Sequence, residues 1–282
     1  STPTFTISAG GGAMQYRYST DNGQTYGDWT TSAAYTPNLD DGNYIFIFQA
    51  KDAAGNISTG STRNFTVDTQ GSSNLQITSG PAQGSITNST SATFIVSATS
   101  AAQYRFSLNG LWSAWGKADS ITYNNLSNAQ HTFTFEAKDD ADNISAGPTR
   151  NWTVDTTGSS DLQITSGPLE GSDTNSTSAT FTVSATGAAQ YRFSLDGAWS
   201  AWGVDNSVTY KNLSDTKHTF TFEAKDDADN ISAGPTRTWT IDTKGSSDLQ
   251  ITSGPSGPTN QNIVTFTVSA TGATQYRYST NN

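Results

Sequence analysis

Three observations predict an all-β protein built as tandem two-sheet sandwich modules in an elongated array. Residues 72–158 and 159–245 agree at 68 of 87 positions without a gap, and self-similarity at a fixed period indicates a repeat protein. Within one repeat, apolar and polar residues alternate in short runs bounded by Gly, Asn, Asp and Ser, which is typical of half-buried strands. No helical period occurs. Seven such runs per repeat favour a two-sheet sandwich.

The repeat period divides the 282 residues into four modules. Residues 1–71 form a copy that lacks its first strand, 72–158 and 159–245 are complete copies, and 246–282 form a partial copy with the first three strands. Each complete copy is near the usual size of a domain. The chain is therefore expected to be a processed protein or a length of a longer array.

The strands of the second copy follow from its period-two runs, in chain order 75–78, 92–98, 103–108, 112–115, 121–123, 131–138 and 151–155. Side chains alternate between the two faces of a strand. The residues predicted to face inward are Phe94, Val96, Ala98, Tyr104, Phe106, Phe133, Phe135, Ala137, Trp152 and Val154. Their neighbours Arg105, Glu136 and Lys138 are predicted to face outward.

A two-residue hairpin turn is predicted at Asn109–Gly110, and at Asp196–Gly197 in the next copy, because both positions tolerate positive φ. Folding the chain about this turn places Trp112 opposite Ser107 on the outer face. The same register places Trp115 opposite Tyr104 on the inner face. The set Trp115, Trp202 and Trp29 is therefore predicted to lie in the cores.

A set of motifs recurs in a fixed order. The third copy has QYRFSLDGAWSAW, SVTYKNLS, HTFTFEAKDDADNIS and RTWTIDT, and the first has LDDGNY at 39–44 and AKDAAGN at 50–56. This order of motifs resembles the bacterial Ig-like repeats of large extracellular adhesins and surface proteins. A related resemblance is to fibronectin III-like and Y-x-Y-type sandwich domains. It implies tandem Ig-like or fibronectin III-like β-sandwiches. Asp142 and Asp229 depart from the pattern, since the first copy has Gly55 there, but Asp tolerates left-handed backbone geometry.

Composition excludes several functions. The net charge is −10 with no basic cluster, which argues against nucleic-acid binding. No apolar run is long enough to span a bilayer. The chain has no cysteine, which excludes disulfides and thiolate chemistry. Together with the many Ser, Thr, Asn and Gly residues, this composition predicts an extracellular or cell-surface location in a bacterium.

Acidic turns recur at the module junctions and predict calcium sites. An Asp ends each closing strand close to the turn between the last two strands of the next module. Calcium binds six to eight hard oxygen ligands, and unpaired like charges in one turn repel each other. The predicted ligands are Asp68, Asp139, Asp140 and Asp142 at one joint and Asp155, Asp226, Asp227 and Asp229 at the next. The favoured alternative is a plain polar turn in which Asp and Asn bond their own backbone two residues on.

Aromatic residues on the outer face are a second candidate site. Trp112 and Trp199, with Tyr26 at the matching position, could stack on sugar rings. The favoured interpretation is that each packs on the neighbouring guanidinium of Arg105, Arg192 or Arg17 as a cation–π pair. The two histidines, His131 and His218, are predicted to be structural residues at a sandwich corner.

The sequence predicts no enzyme, because it has no nucleophile–base arrangement, phosphate loop or metal-spaced histidine pair. The expected function is a structural stalk or fibre segment in which modules extend and space an adhesin-like surface protein, stiffened by calcium at the joints. One alternative is a carbohydrate-binding accessory module. A second is a filament subunit that exchanges strands between chains. The expected partners are neighbouring repeats, other copies of the chain, and glycans or a host surface reached through other regions.

Overall fold

The computed structural model describes residues 3–280 and contains only β-strands as regular elements within them. Residues 1–2 and 281–282, at the ends of the first and last predicted modules, lie outside the described residues. The chain divides into two compact units: one comprises Ser1–Ser85, Ser91–Asn125 and Gln130–Trp152, and the other Ile86–Thr90, Leu126–Ala129 and Thr153–Asn282. This division runs through the second repeat, so the four-module division of the sequence stays a prediction.

The first repeat contains six strands: β1 (Phe5–Thr6), β2 (Ala13–Ser19), β3 (Ala34–Tyr35), β4 (Gly42–Asp52), β5 (Ile57–Thr59) and β6 (Arg63–Val67). Strands β1 and β3 form a small sheet. Strand β4 pairs with β2, β5 and β6 in the other. Aromatic side chains fill the space between the sheets, with the rings of Phe5 and Phe46 stacked at 4.0 Å between centroids.

The second repeat contains nine strands: β7 (Ser73–Ser79), β8 (Ile86–Thr87), β9 (Ala92–Thr99), β10 (Gln103–Leu108), β11 (Leu111–Trp112), β12 (Ser120–Tyr123), β13 (Gln130–Lys138), β14 (Ile144–Ala146) and β15 (Arg150–Val154). One sheet has the order β12-β9-β7. The other has the order β11-β10-β13-β15-β8, with β14 on β13. Strands β8 and β14 were not predicted because they are only two and three residues long.

The third repeat has the same arrangement in β16 (Ser160–Ser166), β17 (Ser172–Thr174), β18 (Ala179–Thr186), β19 (Gln190–Leu195), β20 (Ala198–Trp199), β21 (Ser207–Tyr210), β22 (Lys217–Lys225), β23 (Ile231–Ala233) and β24 (Arg237–Ile241). Its sheets have the orders β16-β18-β21 and β17-β24-β22-β19-β20, with β23 on β22. Strands β25 (Ser247–Ser253) and β26 (Thr267–Thr271) pair in the last repeat.

The core of the third repeat lies between its two sheets and is rich in aromatic residues. Phe181 and Phe220 stack at 3.8 Å between centroids, and the Trp239 ring tilts against Phe181 at 5.1 Å. All three are at least 99% buried, and burial of each such side chain contributes about 1.5–3 kcal/mol. The all-β sandwich prediction is confirmed, as are the buried positions Phe94, Val96, Phe106, Phe133, Phe135, Ala137, Trp152 and Val154.

The predicted core position of Trp115, Trp202 and Trp29 is wrong. Beyond Trp112, which pairs with Ser107 as predicted, the hairpin of the second repeat gains one residue, so Gly116 rather than Trp115 lies opposite Tyr104. A register shift of one residue turns every later side chain to the other face. Trp115 therefore lies on the outer face beside Arg105. Trp202 and Trp29 pack in the same way on Arg192 and Arg17.

A serine hydroxyl stabilises the bulge that causes this shift. The amide of Phe106 donates to Ser113 Oγ at 3.0 Å, while the Ser113 amide donates to the Phe106 carbonyl at 2.8 Å. The third repeat has the same contacts at Phe193 and Ser200. In regular pairing the Phe106 amide would donate to a backbone carbonyl, and in the bulge it donates to the Ser113 hydroxyl instead.

Candidate functional site

The acidic turn between β13 and β14 is closed by its own first carboxylate. Asp139 Oδ1 accepts hydrogen bonds from the amides of Ala141 and Asn143, both at 2.9 Å, and Oδ2 accepts one from Asn143 Nδ2 at 3.0 Å. Burial opposes ionisation of Asp139, but the bonds from Asn143 and Ala141 outweigh it and hold the pKa of this carboxyl below its ordinary value. Asp226 makes the matching bonds to Ala228 and Asn230.

The last acidic position of each turn adopts left-handed geometry. Asp142 has φ 66° and Asp229 has φ 68°, where the first repeat has Gly55 at φ 88°. Their carboxylates pair with lysines four residues earlier, Asp142 with Lys138 at 2.7 Å and Asp229 with Lys225 at 2.8 Å. The turn predicted at these positions is therefore made with Asp in place of Gly.

An asparagine amide connects each acidic turn to the preceding repeat. Asn143 Nδ2 donates to the main-chain carbonyl of Asp68 at 3.0 Å. Asn230 Nδ2 makes the same bond to the carbonyl of Asp155 at 2.8 Å. In each case both residues lie within one compact unit. One asparagine side chain thus closes its own turn and bonds the end of the previous module.

A glycine in each linker allows close approach at the same place. A Cβ on Gly71 would overlap the hydroxyl oxygen of Ser145, and one on Gly158 would overlap that of Ser232. Neither glycine has a left-handed φ, so the constraint is space, and an added Cβ would force the serine hydroxyl to another position. The linkers at residues 69–72 and 156–159 therefore pack directly against the next module.

Six of the eight predicted calcium ligands are engaged in other contacts. Asp68 Oδ1 accepts the Gln70 amide at 3.0 Å and Asp155 Oδ1 accepts the Thr157 amide at 2.9 Å, while Asp140 and Asp227 are exposed. Within residues 3–280, no group of three or more acidic, histidine or cysteine residues is placed to hold a metal ion. Calcium at the joints stays a prediction, and the contacts match the polar-turn alternative.

Sequence reasoning missed Asn143, Asn230 and the linker glycines as joint residues. A signal was present: Asn closes the turn in all three copies, at 56, 143 and 230, and Gly recurs at 71, 158 and 245. The carboxylates drew attention because of their charge. The joint, however, depends on an amide that can donate two hydrogen bonds at once.

The outer aromatic face is an alternating stack of rings and cations. The Arg105 guanidinium lies 4.7 Å from the centroid of Trp112 and 4.8 Å from that of Trp115. Arg192 lies 4.8 Å from both Trp199 and Trp202. In the first repeat, Arg17 lies 4.7 Å from Tyr26 and from Trp29. We refer to each such set as the aromatic stack.

Ion pairs hold the stack in place on its sheet. Arg105 Nε donates to Glu136 Oε2 at 2.6 Å, and Arg192 makes the same bond to Glu223. The ammonium of Lys138 lies 5.4 Å from the centroid of Trp115. The first two aromatic candidates, Trp112 and Trp199, remain 41% and 42% exposed, so part of each ring is open to solvent.

The two histidines lie at the sandwich corner, as predicted. His131 and His218 are each 3% exposed, and their rings lie 5.4 Å from those of Trp152 and Trp239. His218 Nδ1 is 2.8 Å from Asp196 Oδ2 and Nε2 is 2.9 Å from the Ser214 carbonyl. These contacts join the corner to the hairpin turn.

Comparison with known proteins supports the expected family. Residues 1–69 match the family model described as a bacterial Ig-like domain. The chain resembles bacterial Ig-like tandem repeats. Domains of this family are often extracellular or surface-exposed and are generally non-enzymatic, which supports a structural or extracellular module role. No curated protein matches the sequence.

Two solved structures with fibronectin-type modules are similar to the chain. The fibronectin(III)-like modules of CbhA from Clostridium thermocellum have 14% identity and a TM-score of 0.41, over 60% of this chain and 94% of that one. The FN1–FN3 domains of chicken CNTN1 have 10% identity and a TM-score of 0.37, over 82% and 89%. Both scores are too low to transfer function. No helix within residues 3–280 is long and apolar enough to cross a membrane.

Proposed function

We propose that the chain is a non-enzymatic spacer of a bacterial extracellular or surface protein, in which Ig-like repeats are joined by direct contacts. The observation that carries this proposal is the bond from Asn143 to the Asp68 carbonyl, repeated from Asn230 to Asp155 at the same place. A hydrogen bond contributes about 0.5–1.5 kcal/mol. Because each repeat contacts mainly its neighbours in such arrays, extension comes from copy number and stiffness from the joints.

Paired spin labels on successive repeats test this proposal. The chain has no cysteine, so cysteines introduced at the exposed residues Ser120 and Ser207 are the only labelling sites. Pulsed electron double resonance then measures the distance distribution between repeats. We expect Asn230→Ala to broaden this distribution. A distribution that is equally broad in both proteins would mean flexibly linked beads and would reject the joint.

Glycine variants provide a matched control. Gly158→Ala is expected to broaden the distribution because its Cβ would overlap the Ser232 hydroxyl, and adding Ser232→Ala should restore it. Gly245 occupies the same linker position, but a Cβ there would meet nothing within 4 Å. Gly245→Ala should therefore leave the distribution unchanged.

Calcium is tested in the same measurement. If calcium stiffens the joints, adding it to chelator-treated protein should narrow the distribution, and Asp155→Asn should abolish that response. If the direct contacts are sufficient, chelation changes nothing while Asn230→Ala still broadens the distribution. The two contributions are thus separable.

Carbohydrate binding by the aromatic stack is the second candidate, favoured by the solvent-exposed parts of Trp112 and Trp199. A glycan array with Trp199→Ala as the control tests it. Specific binding that this change abolishes would favour an accessory module. Against it, one face of each ring is already occupied by a guanidinium. Strand exchange between chains stays a prediction.

A further inference from the structure

The histidine corner differs chemically between two repeats that are otherwise nearly identical. His131 faces Asn109, whereas His218 faces Asp196 at the equivalent turn position. Asn109 and Asp196 share the same backbone, with φ 51° and 50°. The environment of each imidazole therefore differs mainly in whether the turn residue carries an amide or a carboxylate.

In the third repeat, both ring nitrogens of His218 face atoms that only accept hydrogen bonds. Nδ1 is 2.8 Å from the Asp196 carboxylate, and Nε2 is 2.9 Å from the Ser214 main-chain carbonyl. Both nitrogens must carry a proton to make these two bonds, because a neutral ring has one donor and one acceptor. The contacts fit the imidazolium form.

In the second repeat, the turn residue presents a donor instead. The amide of Thr132 donates to Asn109 Oδ1 at 2.9 Å, which fixes the orientation of the Asn109 side chain. Its Nδ2 then faces His131 Nδ1 at 3.0 Å. Because Nδ2 can only donate, Nδ1 must be an unprotonated acceptor. The contact fits the neutral ring.

We propose that the corner of the third repeat is a pH-sensitive contact that is strengthened by acidification, and that the equivalent corner of the second repeat lacks this response. The second repeat has Asn109 where the third has Asp196. This one difference would then give neighbouring repeats of one array different responses to pH. This inference is independent of the spacer function, because it concerns the stability of one repeat and not the joints.

The surroundings of His218 leave Asp196 as its charged partner. Strand β24 contributes the Trp239 ring and the loop before β22 contributes the Ser214 carbonyl. Lys217, the neighbour of His218 on β22, is exposed and acts on Glu170. Among the described residues, the charge that acts on the imidazole is therefore the carboxylate of Asp196.

Electrostatics give the sign of the response. Burial lowers the pKa of His218, but the hydrogen bonds to Asp196 and Ser214 and the charge of Asp196 outweigh burial and raise it above 6.5. A group whose pKa is raised by folding stabilises the fold fully below its unfolded pKa and loses that contribution as pH rises through the folded value. The third repeat should therefore weaken as pH rises above 6.5, relative to a variant without the carboxylate.

Histidine NMR tests the proposal in the whole chain, which contains only two histidines. With ¹³C- and ¹⁵N-labelled histidine, we expect His218 to titrate with a midpoint above the ordinary value of a histidine. At neutral pH both ring nitrogens of His218 should show protonated ¹⁵N shifts, and His131 Nδ1 should not. Asp196→Asn should lower the midpoint of His218 only.

The reciprocal variant provides an independent check in the other repeat. Asn109→Asp should give His131 Nδ1 a protonated ¹⁵N shift at neutral pH and leave the shifts of His218 unchanged, so the proposal remains testable even if Asp196→Asn fails to fold. In thermal melts, the advantage of wild type over Asp196→Asn should shrink between pH 5.5 and pH 8.5. A His218 midpoint at or below the ordinary value of a histidine, or one unmoved by Asp196→Asn, would overturn the proposal.

Discussion

Removing Trp202 measures the effect of the one-residue bulge in the third repeat. In the regular register this ring would lie in the core, and in the bulged register it lies on the outer face against Arg192 and Lys225, at 4.8 and 5.3 Å from the ring centroid. At a partly exposed position each cation–π contact contributes about 0.5–1 kcal/mol. Trp202→Ala should therefore cost about 1–2 kcal/mol, plus a smaller amount for the partly buried ring.

Trp239 is the matched comparison, because it lies in the core of the same repeat and is 1% exposed. Replacing a core tryptophan with alanine costs about 3–5 kcal/mol. Native-state hydrogen exchange of the β22 amides reports the stability of this repeat separately from its neighbours. We expect Trp202→Ala to reduce the free energy of opening by less than Trp239→Ala does. Equal reductions would place Trp202 in the core and refute the bulged register.

Three further predictions concern single contacts in the same repeat. Asp229→Ala should cost about 1–2 kcal/mol in urea unfolding because of its left-handed φ, whereas Asp229→Gly, which copies Gly55, should cost less than 1 kcal/mol; equal costs would contradict this. Ser200→Ala leaves an amide of the bulge without its acceptor and should cost about 1–3 kcal/mol by the same assay, and a cost near zero would show that the bulge does not need the hydroxyl. Hydrogen bonds from Thr238 lower the pKa of Glu170, so the stability it adds is present above its unfolded pKa and is lost as pH falls through the lower folded value. Glu170→Gln, which copies Gln83, should reduce the fall in melting temperature between pH 6 and pH 3. If the melting temperature of this variant falls with pH as steeply as that of wild type, Glu170 does not contribute to the acid sensitivity.

The strand pattern was predictable because alternation depends on burial alone. Phe94, Phe133 and Trp152 face the core wherever the sheets pack on each other, and the turn at Asn109 follows from the φ that a two-residue hairpin requires. Each of these features depends on residues close in sequence or on one apolar face of a strand. Such features constrain the residue types directly, so they can be recognised in the sequence.

The bulge and the joint were not predictable from such local rules. The bulge forms because Ser113 Oγ, instead of a backbone carbonyl, accepts the hydrogen bond from the Phe106 amide. Ser is also common in regular strands and turns, so its presence at position 113 does not indicate a bulge. The joint depends on a bond between Asn143 and a backbone carbonyl 75 residues away. Any residue can supply a backbone carbonyl, so the residue type at position 68 does not indicate the bond. In the sequence, only the recurrence of Asn and Gly in every copy pointed to the joint.

The acidic turns suggested calcium because of their charge, and calcium at the joints stays a prediction. The four carboxylates predicted at each joint would be available to share an ion only if their charges were unpaired, yet Asp139 is bonded within its turn and Asp142 pairs with Lys138. A turn that satisfies its own carboxylates can be copied along an array without depending on an ion at every joint. The remaining amide hydrogen of Asn143 is then free to bond the previous module. In this arrangement the charge shapes the turn, and the neutral amide makes the connection between repeats.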